Sequence, residues 1–374
     1  MSTNGIILPK KCVKCSEDGP YFGFDARRAS YCKDHFIMMV KQKFFFSLGK
    51  NRVFKGGNNK RNPLIIYNGD STSSFLIGII GEARARGPYK RLDVDPTIIA
   101  VTEKEDVNDI KEFVRKTKES LQSCGCPLHY IHLASIFDEE IHFNNEDVKG
   151  VNNITKLIEF YNLFKTPSAK VEINRLLWDL LYFKIGKELK ADKVILPLCA
   201  DDLARTTCNA LCFGRGASIA HLTEIVDKRY TEVSLIRPLH GISQKEINLM
   251  LQFEIYNIWK VYENSNGHSS NSIQRCNEQF LNSLLQAGFP ATIPTLLSIS
   301  GKVRPNIGNN TLNPISGEIK PSIENNILVC KLCNIKYDSR DETQVMCQAC
   351  FDFVDTEMES TENGHDILRK VISL

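Results

Sequence analysis

Between Leu64 and Leu239 short apolar runs alternate with longer stretches whose apolar residues recur every three or four positions. The runs at 64–67, 97–101, 129–133, 194–198 and 232–236 are mostly apolar and bounded by turn residues. They read as strands buried on both faces. Helical patterns lie between them at 73–86, 106–122, 171–190 and 201–213, and two more follow at 243–256 and 272–287. Parallel strands need a crossover of a dozen or more residues, and a helix is the usual one. The alternation therefore predicts an α/β fold, a Rossmann-like parallel sheet with helices on both faces.

The chain has 374 residues, enough for two or three folding units. A net charge of +3 is too small to choose a partner, so the placement of charge must do that. No run of about 18 apolar residues occurs, so no membrane span is expected, and the first eleven residues lack the apolar core of a secretory signal.

Cysteine usage is unusual, with thirteen in all, seven of them in pairs or near-pairs at the two ends. Without a signal for export, metal binding is a better reading than disulfides. Near the C-terminus Cys330-Lys-Leu-Cys333 is followed after thirteen residues by Cys347-Gln-Ala-Cys350. Two such turns can set four thiolates tetrahedrally around one zinc, which closes every position and makes the site structural. Near the N-terminus Cys12-Val-Lys-Cys15 is followed by Cys32-Lys-Asp-His35, the same device with one imidazole. Cys124 and Cys126 are too close in sequence for such a knuckle. Cys199, Cys208, Cys212 and Cys276 lie among apolar residues and read as buried free thiols, with no spacing that supports an iron–sulfur centre.

The stretch from Lys41 to Arg61 holds seven Lys or Arg, no acid, and four phenylalanines, three of them consecutive. Its charge suits a nucleic-acid backbone, with Lys43, Lys50, Arg52 and Lys55 as the contacts. Phe44–Phe46 read as core rather than as stacking platforms.

After the first strand comes Asn68-Gly69-Asp70-Ser71-Thr72-Ser73, in the place where α/β proteins hold phosphates on a helix N-terminus. Adenylating enzymes of the ATP-pyrophosphatase type carry Ser-Gly-Gly-x-Asp-Ser there, so that backbone N–H groups close on pyrophosphate. This chain keeps one glycine and the last serine, with Asp70 at the second glycine and Thr72 at the acid. A carboxylate about 4 Å from a phosphate charge costs on the order of 4 kcal/mol at an effective dielectric near 20. That weakens ATP about a thousandfold unless a metal or lysine compensates. Alternatively Asp70 turns away and caps the helix. Either way the loop argues against catalysis while the fold housing it is intact.

Taken together, "CVKC" with "YCKDHF", "SLGKNRVF", "YNGDSTSS", "CNALCFGRGASIA" and the terminal "CKLC…CQAC" resemble, in order and over nearly the full length, the cytoplasmic tRNA 2-thiolation protein 2 family. His35 stands where that family usually has cysteine. The resemblance implies an adenine nucleotide alpha-hydrolase-like, PP-loop type sheet flanked by N- and C-terminal zinc modules. It implies a cytoplasmic, non-catalytic subunit that pairs with a catalytic thiolation paralogue. Together they would thiolate the wobble uridine of tRNA with sulfur from a thiocarboxylated ubiquitin-related modifier. The catalytic paralogue carries a "GHxxDDxAET"-like stretch near its nucleotide. Here the matching run, Pro197 to Thr206, keeps Asp201 and Asp202 but lacks the histidine and glutamate, and the two acids read as helix caps.

The expected division is an N-terminal zinc module at 1–40, a basic linker at 41–62, the α/β domain at 63–300, an Asn/Pro/Gly-rich linker at 301–326 and a C-terminal zinc-ribbon-like module with tail at 327–374. Two other functions fit the same residues. One is an active ATP-dependent tRNA adenylating and thiolating enzyme. The other is a zinc-dependent RNA-binding scaffold unrelated to thiolation.

Overall fold

The computed structural model of the chain describes residues 11–25, 27–54, 62–87, 91–141, 143, 148–253, 256, 271–303, 326–339, 341–359 and 361–372. Helix α1 (Lys33–Lys50) precedes strand β1 (Leu64–Tyr67), α2 (Ser71–Ala85), β2 (Thr97–Thr102), α3 (Val107–Leu121) and β3 (Leu128–His132). The short edge strand β4 (Val148–Lys149) leads to α4 (Ile154–Asn162), α5 (Pro167–Glu188), β5 (Lys193–Ile195), α6 (Ala200–Cys212) and α7 (Ile219–Thr223). Then come β6 (Val226–Asp227), β7 (Ser234–Ile236), α8 (Gln244–Gln252), α9 (Ile273–Gln286) and α10 (Thr292–Ser300). The hairpin β8 (Asn326–Val329) and β9 (Lys336–Ser339), with α11 (Gln348–Glu357) and α12 (Glu362–Ile372), completes the order.

Seven strands form one sheet in the order β4-β3-β2-β1-β5-β7-β6. Every neighbouring pair is parallel except β6 with β7. From β1 the chain builds outward in one direction through β2, and later in the other through β5. The carboxyl ends of β1 and β5 therefore flank the switch point, where open α/β sheets hold ligands.

Alternate residues of each strand serve opposite layers, as the pleat requires. Leu64, Ile66, Ile99, Val101 and Ile131 join a core with Leu157 and Phe160 of α4 and Ile173, Leu176 and Leu181 of α5. Ile65, Tyr67, Ile98, Ala100 and Tyr130 face the other core, with Phe36, Val40 and Phe44 of α1, Phe75 and Ile79 of α2, Phe113 of α3 and Met250 of α8. Cys330, Leu332, Cys350, Phe353 and Met358 belong to the first of these cores. Helices α6, α9 and α10 make a smaller cluster through Ala200, Leu203, Leu281, Ile293 and Leu297.

The predicted α/β architecture with a mostly parallel sheet is the observed one. Boundaries differ where side chains intervene. Helix α5 starts at Pro167 rather than 171, because Thr166 Oγ1 accepts the Ala169 amide at 3.1 Å and proline suits the first turn. Strand β3 stops at His132, whose Nδ1 accepts the Ala134 amide at 3.0 Å and starts a 3-10 turn. Strand β5 ends at Ile195, two residues before Pro197, which has no N–H for the ladder. Edge strands β4 and β6 have two residues each, too few to leave a period in the sequence. Most of the linker at 301–326 and of the polar insertion at 263–272 lies outside the described residues.

Helix α5 lies hard against the sheet at Gly186. A Cβ there would stand 2.7 and 3.0 Å from the two Val233 methyls and 3.3 Å from a Val194 methyl. Alanine gains about 1 kcal/mol over glycine in a helix, but overpacking costs about 1–3 kcal/mol. Gly186→Ala is expected to lower the urea unfolding midpoint, whereas an exposed helical glycine would raise it.

Candidate functional site

The loop after β1 turns at Gly69, whose φ of +84° favours glycine. Asp70 then caps α2, its Oδ1 accepting the Ser73 amide at 2.6 Å, with Asn68 Nδ2 donating to Oδ2 at 3.1 Å. Of the two sequence alternatives for Asp70, the structure takes the cap. Burial pushes its carboxyl above the ordinary range, and the nearby Asp202 charge adds to the rise. Ser73 is fully buried, its hydroxyl donating to the Asp70 carbonyl at 3.1 Å.

The loop hydroxyls meet a residue that sequence spacing did not single out. Gln244, first residue of α8, donates through Nε2 to Ser71 Oγ at 2.9 Å and accepts from Thr72 Oγ1 at 3.1 Å. Its backbone amide donates to Asp201 Oδ2 at 2.8 Å, and the Cys199 thiol points at its Oε1 from 3.6 Å. Asp202 closes its own helix by accepting the Cys199 amide at 2.9 Å, and it pairs with Arg205. The acid pair thus caps α6 and receives α8. The space beside Asp70 is about 150 Å³, lined by Ile66, Asn68, Tyr182, Pro197, Leu198 and Asp202. Ligand pockets begin near 300 Å³. A larger cavity of about 800 Å³ opens at the opposite edge, before the starts of β2 and β3, with Ile80, Leu92, Val94 and Cys126 in its wall. The Arg84 guanidinium there lies 3.7 Å from Asp95 and donates to Cys126 Sγ at 3.0 Å.

Both predicted cysteine groups come together, and the ligand atoms of each lie within 4.8 Å of one another. In the first, Cys32 is the N-cap of α1, so His35 falls in its first turn. His35 Nδ1 is 3.6 Å from Cys12 Sγ and 3.2 Å from Cys32 Sγ, and Cys15 and Cys32 sulfurs are 3.7 Å apart. Burial alone would raise the Cys12 thiol, but the Cys32, Lys14 and Cys15 backbone groups outweigh it and draw it down to about 6. In the second group the knuckle closes through Cys330 N–H to Ile335 O at 2.9 Å, with Asn334 left-handed at φ +56°. Cys347 is the N-cap of α11, which brings Cys350 onto the same side. The Cys333 and Cys347 sulfurs are 3.7 Å apart. Arg215 Nη1 donates to Cys350 Sγ at 3.0 Å from outside the module. Among the described residues these are the groups of three or more His, Cys, Asp or Glu able to share an ion.

The remaining candidates part company. Lys43 is tied at 2.6 Å to the buried Glu246 and sits over the Phe24 ring, while Lys50 and Arg52 are exposed. Lys55 lies outside the described residues. Of the phenylalanines expected in the core, Phe44 is buried and Phe45 half-buried, but Phe46 is 66% exposed, with the Lys50 ammonium 5.6 Å from its ring. Three consecutive helical residues span about 200°, so they cannot all face the sheet. Cys199 is buried and Cys208 half-buried as expected for structural thiols, whereas Cys212 and Cys276 are exposed on α6 and α9. No helix of the described residues is long and apolar enough to cross a membrane.

No family model matches the chain. It is similar to cytoplasmic tRNA 2-thiolation protein 2 of Caenorhabditis elegans, 32% identical over 300 residues that cover 79% of this chain and 84% of that protein. The same-named protein of Caenorhabditis briggsae is 29% identical over 80% of this chain and 86% of its own length. That of Xenopus tropicalis is 25% identical over 81% and 70%. Among solved structures it is similar to the U34-tRNA thiolase NcsA from Methanococcus maripaludis with its 4Fe-4S cluster. The TM-score is 0.58 and the identity 16%, covering 82% of this chain and 93% of that one. This likeness shows a shared PP-loop type fold.

The Asp70 carboxyl is raised in the fold, so its ionisation disfavours folding as pH climbs from the ordinary value of 3.8 through the folded one. Asparagine caps equally well. Asp70→Asn is expected to raise the melting temperature at pH 7, and the gain should vanish below pH 3.8. A gain independent of pH would show that ionisation is not its source.

Proposed function

The chain belongs to the cytoplasmic tRNA 2-thiolation protein 2 family, and on that premise we propose that it is the non-catalytic subunit of the cytoplasmic complex that places sulfur on the wobble uridine of tRNA. Its partner in this reading is a catalytic thiolation paralogue, in a heterodimer. Sulfur arrives as a thiocarboxylate on a ubiquitin-related modifier, and the tRNA is the substrate of the assembly.

The observation that carries the reading is Gln244 in the loop. A phosphate-holding loop offers hydroxyls and amides to its nucleotide. Here the Ser71 and Thr72 hydroxyls are taken by Gln244, and the Ser73 amide by Asp70. Two carboxylates, Asp70 and Asp202, border the remaining 150 Å³, which suits neither the size nor the charge of ATP. Activation of uridine is therefore assigned to the paralogue, and binding to this chain. Among the described residues of the basic stretch, Lys50 and Arg52 with the exposed Phe46 are available to RNA, while Lys43 serves Glu246.

Zinc at both cysteine groups fits the geometry. Bonds of about 2.3 Å to a tetrahedral ion set neighbouring thiolates about 3.8 Å apart. The 3.7 Å pairs, Cys15 with Cys32 and Cys333 with Cys347, match that edge. An iron–sulfur cubane spreads its thiolates over separate irons and holds them wider, so the 4.8 Å limit supports one ion per group. Cys12, Cys15, Cys32 and His35 would hold one zinc, and Cys330, Cys333, Cys347 and Cys350 the other. With all four positions closed, each zinc supplies folding energy, and the chain's own residues do the binding.

Two measurements test this reading. The purified chain is expected to bind ATP with a Kd in the millimolar range or weaker and to release no AMP from ATP and tRNA. Micromolar binding, or AMP made by this chain alone, revives the active enzyme. Deletion that leaves wobble thiolation unchanged favours the unrelated scaffold. Elemental analysis is expected to find two zinc ions per chain. Cys330→Ser should remove one and lower the melting temperature, and retention of both would sink the C-terminal assignment.

A further inference from the structure

The motif Gly214-Arg215-Gly216 has no part in the loop or in the knuckles themselves, yet the fold buries its arginine. Arg215 begins a chain of side chains that alternate in charge. Its Nε lies 2.7 Å from Glu172, which also pairs with Arg175 at 2.7 Å. Arg175 reaches Asp179 at 3.3 Å, Asp179 meets Arg229 at 3.0 Å, and Arg229 meets Asp227 at 2.8 Å. Asp227 finally pairs with Arg237 at 3.0 Å. Arg215, Arg229, Arg237 and Asp227 are almost fully buried, and Arg175 lies at the rim.

The chain begins and ends on guanidinium. Arg175, Arg215, Arg229 and Arg237 face Glu172, Asp179 and Asp227, which leaves one positive charge in excess. A buried charge without a counterpart is strongly unfavourable. At one end Arg237 donates to the carbonyls of His221 and Glu224 at 3.1 and 3.0 Å, where α7 finishes. At the other end Arg215 Nη1 donates to Cys350 Sγ, and Arg215 Nη2 is buried with no hydrogen-bond partner among the described residues. Arg229 grips the same module by donating to the Cys333 carbonyl at 2.9 Å.

We infer that the C-terminal tetrathiolate centre is the counter-anion of this buried arginine chain, with Arg215 as the positioning residue that joins them. A divalent ion on four thiolates carries two net negative charges, so the excess guanidinium and the loaded centre neutralise each other in part. Metal binding and the α/β core are thereby coupled through charge as well as packing. The inference rests on the reading that Cys330, Cys333, Cys347 and Cys350 hold a divalent metal.

The test uses the full chain, zinc and a chelator. Outer-shell partners of metal ligands commonly change affinity 10- to 100-fold. Arg215→Gln is expected to speed loss of one zinc to EDTA about tenfold or more and to leave the N-terminal zinc, an internal control, at the wild-type rate. Arg215→Lys keeps the charge and is expected to stay within a few-fold of wild type. In a Cys330→Ser/Cys347→Ser chain, which cannot form the tetrathiolate, the same Arg215→Gln change should raise the unfolding midpoint rather than lower it. A merely structural arginine cannot give that reversal of sign.

Wild-type zinc retention in folded Arg215→Gln overturns the inference. So does equal zinc loss in the Lys and Gln variants, or an Arg215→Gln change that destabilises both backgrounds. If Arg215→Gln does not fold, the zinc loss of Arg215→Lys decides: near-wild-type retention supports the inference and a tenfold faster loss overturns it. A wild-type chain whose zinc content is unaffected by Cys330→Ser overturns the metal reading, and this inference with it.

Discussion

A parallel sheet must be covered on both faces, and most of this structure follows from that constraint. Ile65 and Ile66 are adjacent in β1 but belong to different cores. One face is covered by α1, α2, α3 and α8. The other is covered by α4 and α5 together with residues of the C-terminal cysteine module. Phe353 of that module stacks on Phe164 at 5.7 Å, and Glu359 N–H bonds back to Leu163 O at 2.8 Å. The module therefore contributes to the same apolar layer as α5, and a change in its cysteines reaches the sheet.

The same constraint explains the loop. The helix after β1 must start at the sheet edge and must be capped there. In this chain the cap is a carboxylate whose Oδ1 takes the Ser73 amide, a donor that a phosphate would need. Helix α8, packed on the same face, brings Gln244 to the hydroxyls left over. An amide can accept and donate at once, so one side chain satisfies Ser71 and Thr72 together. The scaffold of a nucleotide site is retained, but its polar groups are satisfied from within the protein. Such a subunit contributes surfaces to a thiolation complex, in the proposed reading, while its partner retains the nucleotide chemistry.

Much of this was legible in the sequence. Strands follow from short unbroken apolar runs and helices from a period of 3.6, which are local properties. Ligand sets are legible for a similar reason. A CxxC turn, or a CxxH across a helix N-cap, brings its own two ligands together whatever the rest of the chain does. The exposure of Phe46 was legible in principle from the angle between consecutive helical residues, although apolar character alone argued for the core. Short edge strands, and Cys212 and Cys276 on exposed helix faces, left no signal of that kind.

By itself the sequence determined the alternation of strand and helix, the two four-ligand sets, and the loss of the second glycine from the loop. Only the tertiary structure decided what those features meet. Thr72 meets Gln244 across 172 positions, and Arg215 meets Cys350 across 135. Nothing in local spacing encodes such pairs. They arise because burying both faces of the sheet brings distant helix ends together, where most buried polar groups find a partner.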